Sequence, residues 1–311
     1  MPAWKDKFDN GDILVIDGAM GTELERRGVP MHAEAWSGAA LVNHPEAIIG
    51  AHEDYIRAGA EVIITNTFGA SPHMLKAMGY GDRDEAIIES AVDLAKRARD
   101  NTDVDVAIAG SISTMAAGGD VADPGDRHSD GEVTDSMNRM AQALARGGCD
   151  MIALEMMQDS HRAPIATRAA KDTGLPVWLG LTCAWNEARD KLVAFDFPDY
   201  DFDEFLAAML PIGPDLISIM HSDVDVTSAA LDVVKQSWDG PLGAYPEAGY
   251  FTMPNWQFVD IIAPDDLVTR ARGWVDQGVT VLGGCCGLGP DHIAALSKAA
   301  PTMKPADQEP S

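Results

Sequence analysis

The chain has 311 residues, 46% of them hydrophobic, 23% charged and 6% aromatic, which is the composition of a folded globular protein and not of a disordered or fibrous one. Its 49 acidic side chains against 23 basic ones leave a formal charge of -26; such a chain repels phosphate backbones and anionic lipid, so nucleic-acid and membrane partners are excluded. No stretch approaches the roughly 18 consecutive apolar residues a membrane span needs. Met1 to Asp6 carries no basic segment followed by an apolar run, so no secretory signal is read and a soluble cytoplasmic protein is expected. The 35 Asp against 9 Lys point to a salt-adapted surface more than to an acidic binding site.

In chain order, short apolar runs recur at Ile13–Ile16, Val62–Thr65, Val106–Ala109, Met151–Leu154, Val177–Leu181, Leu216–Met220, Leu242–Tyr245 and Val279–Leu282. Most are nearly continuous, as strands buried on both faces should be. Between them lie amphipathic stretches such as Asp84–Arg99 and Ser136–Gly147, with Ala and charged residues at helical spacing. This alternation predicts an α/β fold, a single (β/α)8 barrel, with an open doubly wound sheet as the other arrangement alternation allows. One domain is expected over residues 1–300, followed by a loose tail over 301–311.

A barrel places its chemistry on the loops that follow the strands. The first run leads into Asp17-Gly18-Ala19-Met20-Gly21-Thr22 and the second into Asn66-Thr67-Phe68-Gly69-Ala70-Ser71. The fourth run ends in Glu155, the fifth in Thr182-Cys183, the sixth in His221, the seventh in Tyr245-Pro246-Glu247-Ala248-Gly249 and the eighth in Gly283-Gly284-Cys285-Cys286-Gly287. Without a secretory signal, the cysteines are better read as metal-binding or catalytic than as disulfides. Two thiolates and an imidazole make a zinc set that leaves a fourth position open. Adjacent residues on a regular strand face opposite ways, so Cys285 and Cys286 can ligate together only if the flanking glycines turn the chain. The competing reading makes the pair small buried residues at a glycine turn and His221 an ordinary rim histidine. An open thiolate-rich zinc would deprotonate a bound thiol, giving a nucleophile suited to a methyl group on a cationic sulfur or nitrogen.

These stretches resemble the homocysteine S-methyltransferase family, which includes betaine–homocysteine methyltransferases and the homocysteine domain of methionine synthase. The likeness rests on Asp17–Gly28, on Tyr55–Glu61 leading into Ile64–Ser71, on Tyr245-Pro246, and on Gly283–Gly287, all in the family's order. It implies a (β/α)8 barrel, a zinc ion, and transfer of a methyl group from an onium donor (S-methylmethionine, betaine or dimethylsulfoniopropionate) to homocysteine, giving methionine. In the family three cysteines hold the zinc. Cys285 and Cys286 carry over, but the family's Gly-x-Asn-Cys motif is replaced here by Ser218-Ile219-Met220-His221, and its Tyr-Pro-Asn-x-Gly pattern by Tyr245-Pro246-Glu247-Ala248-Gly249. The resemblance therefore implies a His221/Cys285/Cys286 site, whose formal charge moves from minus one to zero when imidazole replaces thiolate.

By the same resemblance Asp17 and Glu155 hold the substrate ammonium, while backbone amides at Gly18 and Ala19, with Thr67, receive its carboxylate. Asn66 is expected to fix its loop and His52 to pack or to make a hydrogen bond, not to act as a ligand. Trp36 is either a hydrophobic anchor or a cation–π partner for the donor. Cys149 is expected to be structural and Cys183 a buried small residue, with recruitment to the metal site as the alternative for Cys183. Because two motifs depart from the family, an altered metal site with a different acceptor, or a non-catalytic ligand-binding relative, stays open. The partners expected are small molecules; no feature sets the oligomeric state, and a homo-oligomer stays open.

Overall fold

The structure is a computed structural model and describes residues 3–115, 128–252 and 254–304. All eight apolar runs form strands: β1 Leu14–Val15, β2 Val62–Ile64, β3 Ala107–Ser113, β4 Met151–Met157, β5 Val177–Leu181, β6 Leu216–Asp223, β7 Leu242–Glu247 and β8 Val279–Leu282. They form one eight-stranded sheet in which chain neighbours pair in parallel and β1 pairs with β8 through Leu14↔Val281 and Val15↔Leu282. The barrel closes between β1 and β2 by the parallel bridge Ile16↔Val62, with Glu61 N donating to Val15 O at 2.7 Å and Asp17 N to Val62 O at 3.0 Å. Closure decides the architecture in favour of the barrel over the open sheet.

The strands read as continuous apolar runs because each has two buried faces. Leu14, Val62, Ala107, Ala153, Trp178 and Val281 point inward and fill the barrel. Their neighbours Val15, Ile63, Ile108, Ile152, Val177 and Leu282 point outward under the helices. The helix Asp84–Thr102 turns Ile88, Ala91, Ala95 and Ala98 to this outer layer at three- and four-residue spacing. The helix Asp130–Gly147 starts at a capping box of Ser129 and Glu132 and stops at left-handed Gly148, φ 85°.

Three elements were not visible in the periodicity. A helix over Ala3–Asn10 closes the bottom of the barrel, where Phe8 stacks on Trp178 with centroids 5.5 Å apart. Antiparallel hairpins follow β5 (Cys183–Trp185 with Leu192–Ala194) and β7 (Tyr250–Thr252 with Asn255–Gln257), both at the opposite end. At the C-terminus Ala300–Thr302 forms a 3-10 turn and Met303 is buried; residues 305–311 of the expected tail lie outside the described residues. No helix among the described residues is long and apolar enough to cross a membrane.

Candidate metal centre and substrate cavity

β6 and β4 run further than their apolar runs suggest, so His221 and Glu155 sit inside strands. Each strand is irregular at that point. His221 has φ 43° and Met156 φ 56°, left-handed values that cost a non-glycine residue energy, and the register of each strand with its neighbour shifts across these positions. Such irregularities re-aim side chains next to functional sites. At His221 the result is a ring turned into the cavity, half-buried beside β7.

Cys285 and Cys286 lie beyond the end of β8, which removes the conflict of adjacent residues on an ideal strand. Their turn is tied to its neighbours: Cys285 N donates to Pro246 O at 2.7 Å, Ala248 N to Cys286 O at 2.9 Å, and Gly284 N to Asp17 O at 3.2 Å. Gly287 must be glycine, because it adopts φ 82° and a Cβ there would lie 2.0 Å from Ala248 O. The Asp17–Gly28 motif braces the same turn, with Thr22 Oγ1 accepting from Gly287 N at 3.2 Å and Arg26 Nη2 donating to Gly287 O at 2.7 Å.

The structure thus brings His221, Cys285 and Cys286 together, with one ligand atom from each within 4.8 Å of the others. Cys285 Sγ is 3.5 Å from His221 Nδ1. A tetrahedral zinc with bonds of about 2.3 Å to sulfur and 2.0–2.1 Å to nitrogen separates such a pair by about 3.6 Å, so the donor set fits this ion in chemistry and spacing. A hydrogen bond from the Cys286 thiol, reinforced by His221, holds the Cys285 pKa well below the thiol range, while Cys286 is pushed well above it. Burial would lower the His221 pKa, but the charges of Glu247 and Cys285 outweigh it and hold it well above the ordinary value. Glu247 Oε2 lies 2.7 Å from His221 Nδ1.

The remaining expected residues divide. Gly18, Ala19 and Glu155 line the cavity together with His221, Cys285 and Cys286. Glu155 accepts a short hydrogen bond from Ser111 Oγ, and burial with the nearby Cys285 charge raises its pKa to about 8. Asp17 is buried just behind the wall; its Oδ2 accepts from Ile64 N at 2.8 Å and its Oδ1 has no partner. Thr67 is fully buried, its hydroxyl donating to Ser111 O at 2.6 Å, and so supports the loop from behind. Asn66 bonds both the hydroxyl and the carbonyl of Ser37 and fixes that loop. His52 packs in the outer layer without a hydrogen bond. Cys183 and Cys149 are buried, and burial pushes both thiols up to about 12.

The aromatic wall is largely new. Trp36 lines the cavity with Phe68, Phe195, Phe251 and Trp256, and Phe195 lies 5.4 Å from the His221 ring, centroid to centroid. Phe195 and Phe251 arrive from the two hairpins or their connections, which the strand pattern could not reveal. Gly21 makes room for Trp36, whose ring lies 2.3 Å from where a Cβ would stand. Asp196 completes the lining, and among the described lining residues none is Lys or Arg.

The closed (β/α)8 barrel gathers two thiols, an imidazole and a buried carboxylate around one aromatic cavity, a donor set that could hold a soft metal ion beside a small molecule. The homocysteine S-methyltransferase family profile matches residues 14–300. The Escherichia coli homocysteine S-methyltransferase is 29% identical, over 93% of this chain and 96% of its own length. A selenocysteine methyltransferase of Astragalus bisulcatus is 26% identical over 93% of this chain and 92% of its own. The homocysteine methyltransferase MmuM from Escherichia coli, solved in a metallated form, superposes with a TM-score of 0.74 at 26% identity, covering 94% of this chain and 98% of that one. The chain belongs to the homocysteine S-methyltransferase family, a family of methyltransferase enzymes.

Proposed function

We propose that this barrel transfers a methyl group from an onium donor to the sulfur of homocysteine, giving methionine, with zinc held by His221, Cys285 and Cys286. The observation that carries this reading is the meeting of those three soft ligands at the rim of the cavity. Zinc bound there would keep the acceptor sulfur as a thiolate at neutral pH, so that no general base is needed.

The chain's own residues bind and orient the substrates. Glu155 and the free oxygen of Asp17 receive the acceptor's ammonium, and the amides of Gly18 and Ala19 its carboxylate, while Thr67 holds the neighbouring Asn66–Ser71 loop from behind. The aromatic wall faces the cationic sulfur or nitrogen of the donor and keeps water from the reacting atoms. Transfer is a displacement: the new S–C bond forms as the donor's C–S or C–N bond breaks, and the donor departs neutral. Holding both substrates in line supplies much of the rate. S-methylmethionine, betaine and dimethylsulfoniopropionate all carry a carboxylate; the first suits the cavity best because it alone also carries an ammonium, which can meet Asp196 in the lining.

The test is the zinc content of protein purified under reducing conditions, for the native chain and for His221→Ala. About one zinc per native chain, lost in the variant, supports the site; a native chain without zinc overturns it. Selenocysteine belongs beside homocysteine in the acceptor panel.

A further inference from the structure

Thr182, just past the end of β5, and Ser222, on β6, are both fully buried, and their hydroxyls donate to the same acceptor, Met220 O, at 3.0 and 2.9 Å. That carbonyl belongs to the peptide joining Met220 to His221, whose orientation sets where the His221 side chain points. His221 sits at φ 43°, a conformation a non-glycine residue keeps only where its surroundings hold it. The regular ladder is interrupted there, because the register of β6 with β7 shifts between Met220 and Asp223. Buried backbone groups need partners, and here two side chains supply them.

The same cluster reaches the other irregular strand. Ser222 Oγ also accepts from Cys183 N at 2.9 Å, and Thr182 N donates to Met157 O at 3.2 Å, so the end of β5 is fastened to β6 on one side and to β4 on the other. Met220 Sδ lies 3.3 Å from the Thr182 hydroxyl and accepts from the amide of Met156, the left-handed residue of β4, at 3.0 Å. One buried polar cluster thus braces both strained residues, at His221 and beside Glu155. We propose that Thr182 and Ser222 are positioning residues of the metal centre: they hold the Met220 carbonyl, lock the peptide that precedes His221, and so keep the imidazole turned into the cavity beside the two cysteines. This inference rests on the proposed zinc site but assigns a role to two residues that the three ligands do not imply.

The test is zinc affinity of the full chain, by competition with a chromophoric chelator. T182V keeps the side-chain volume and removes the hydroxyl; it should weaken zinc binding about 10-fold, the lower end of the range for groups that orient metal ligands from outside. T182S restores the hydroxyl and should stay within a few-fold of the native chain. Thr167, also fully buried, donates its hydroxyl to Ala163 O at 2.8 Å in a helix outside the cavity lining, so T167V is the control for losing a buried hydroxyl as such. It should leave zinc affinity unchanged even where it lowers the melting temperature. In cobalt-substituted T182V the thiolate-to-metal charge-transfer absorption should persist, because both cysteines remain, while the ligand-field bands shift with the moved imidazole. S222A should weaken zinc binding in the same sense, and carries the test if T182V does not fold. Unchanged affinity in T182V and S222A, a loss no larger than that of T167V, or no recovery in T182S would overturn the inference while leaving the zinc reading intact. Failure of the native chain to bind zinc would overturn both.

Discussion

Asp17, at the end of β1, reaches across the barrel seam to accept a hydrogen bond from Ile64 N of β2 at 2.8 Å, while its second carboxylate oxygen is buried without a partner. One oxygen thus serves the fold and the other is free for a ligand. Burial, opposed by the Ile64 bond and aided by the charge of Glu155, holds the Asp17 pKa well above the carboxylate range. A cationic ligand is the partner that would reverse this. Asp17→Asn keeps an acceptor for Ile64 but loses the charge, so the acceptor KM should rise about 10- to 100-fold, matching a hydrogen bond to a charged group, with little change in melting temperature. Asp17→Ala should also cost about 1–3 kcal/mol of stability by stranding the Ile64 amide. An unchanged KM in Asp17→Asn would remove Asp17 from the substrate site.

Trp36 meets Phe68 edge-on at 6.3 Å and Phe251 at 6.1 Å, so its face is braced toward the cavity. A cation–π contact is worth roughly 0.5–2 kcal/mol. Trp36→Leu should therefore raise the donor KM about 3- to 30-fold, and Trp36→Phe much less. The uncharged carbon isostere of the donor separates charge recognition from packing. If Trp36→Leu weakens the isostere as much as the donor, Trp36 is a hydrophobic anchor only.

His52 is fully buried with neither ring nitrogen bonded, and burial lowers its pKa from 6.5 to about 3. Because its folded-state pKa is the depressed one, the unfolded chain takes up a proton that the folded chain refuses. Stability is full above about pH 6.5 and falls as the pH drops toward 3, by roughly 2 kcal/mol at pH 5 from this group alone. His52→Leu should shrink the gap in unfolding free energy between pH 7 and pH 5 by about that amount. Parallel pH profiles for native and variant protein in urea titrations would contradict the assignment.

The barrel was legible because each strand is buried on both faces and each helix on one, so periodicity and fold agree residue by residue. The cysteine turn was legible because three glycines around a Cys pair have few other uses. What stayed hidden depends on contacts between distant residues. That Glu247 reaches His221 requires the pairing of β6 with β7, and the left-handed conformation at His221 leaves no mark in the sequence. Thr67 occupies an expected motif position, yet its hydroxyl bonds Ser111 across the sheet. Phe195, Phe251 and Trp256 belong to hairpins or connections too short and irregular to carry a period.

A formal charge of -26 on 311 residues destabilises the compact state by self-repulsion. The screening length falls from about 10 Å at 0.1 M salt to about 3 Å at 1 M, which relieves this repulsion. The melting temperature should rise between 0.1 and 2 M KCl. A flat or falling curve would remove the salt-adapted reading of the surface.

The most direct measurement is methionine production, quantified by mass, from homocysteine and S-methylmethionine, betaine or dimethylsulfoniopropionate in turn. It should be run on zinc-loaded protein, after chelation, and after zinc is restored. The account predicts turnover with at least one donor, fastest with S-methylmethionine, lost on chelation and regained with zinc. No methionine from any donor with zinc-loaded protein, or a rate indifferent to chelation, would contradict it.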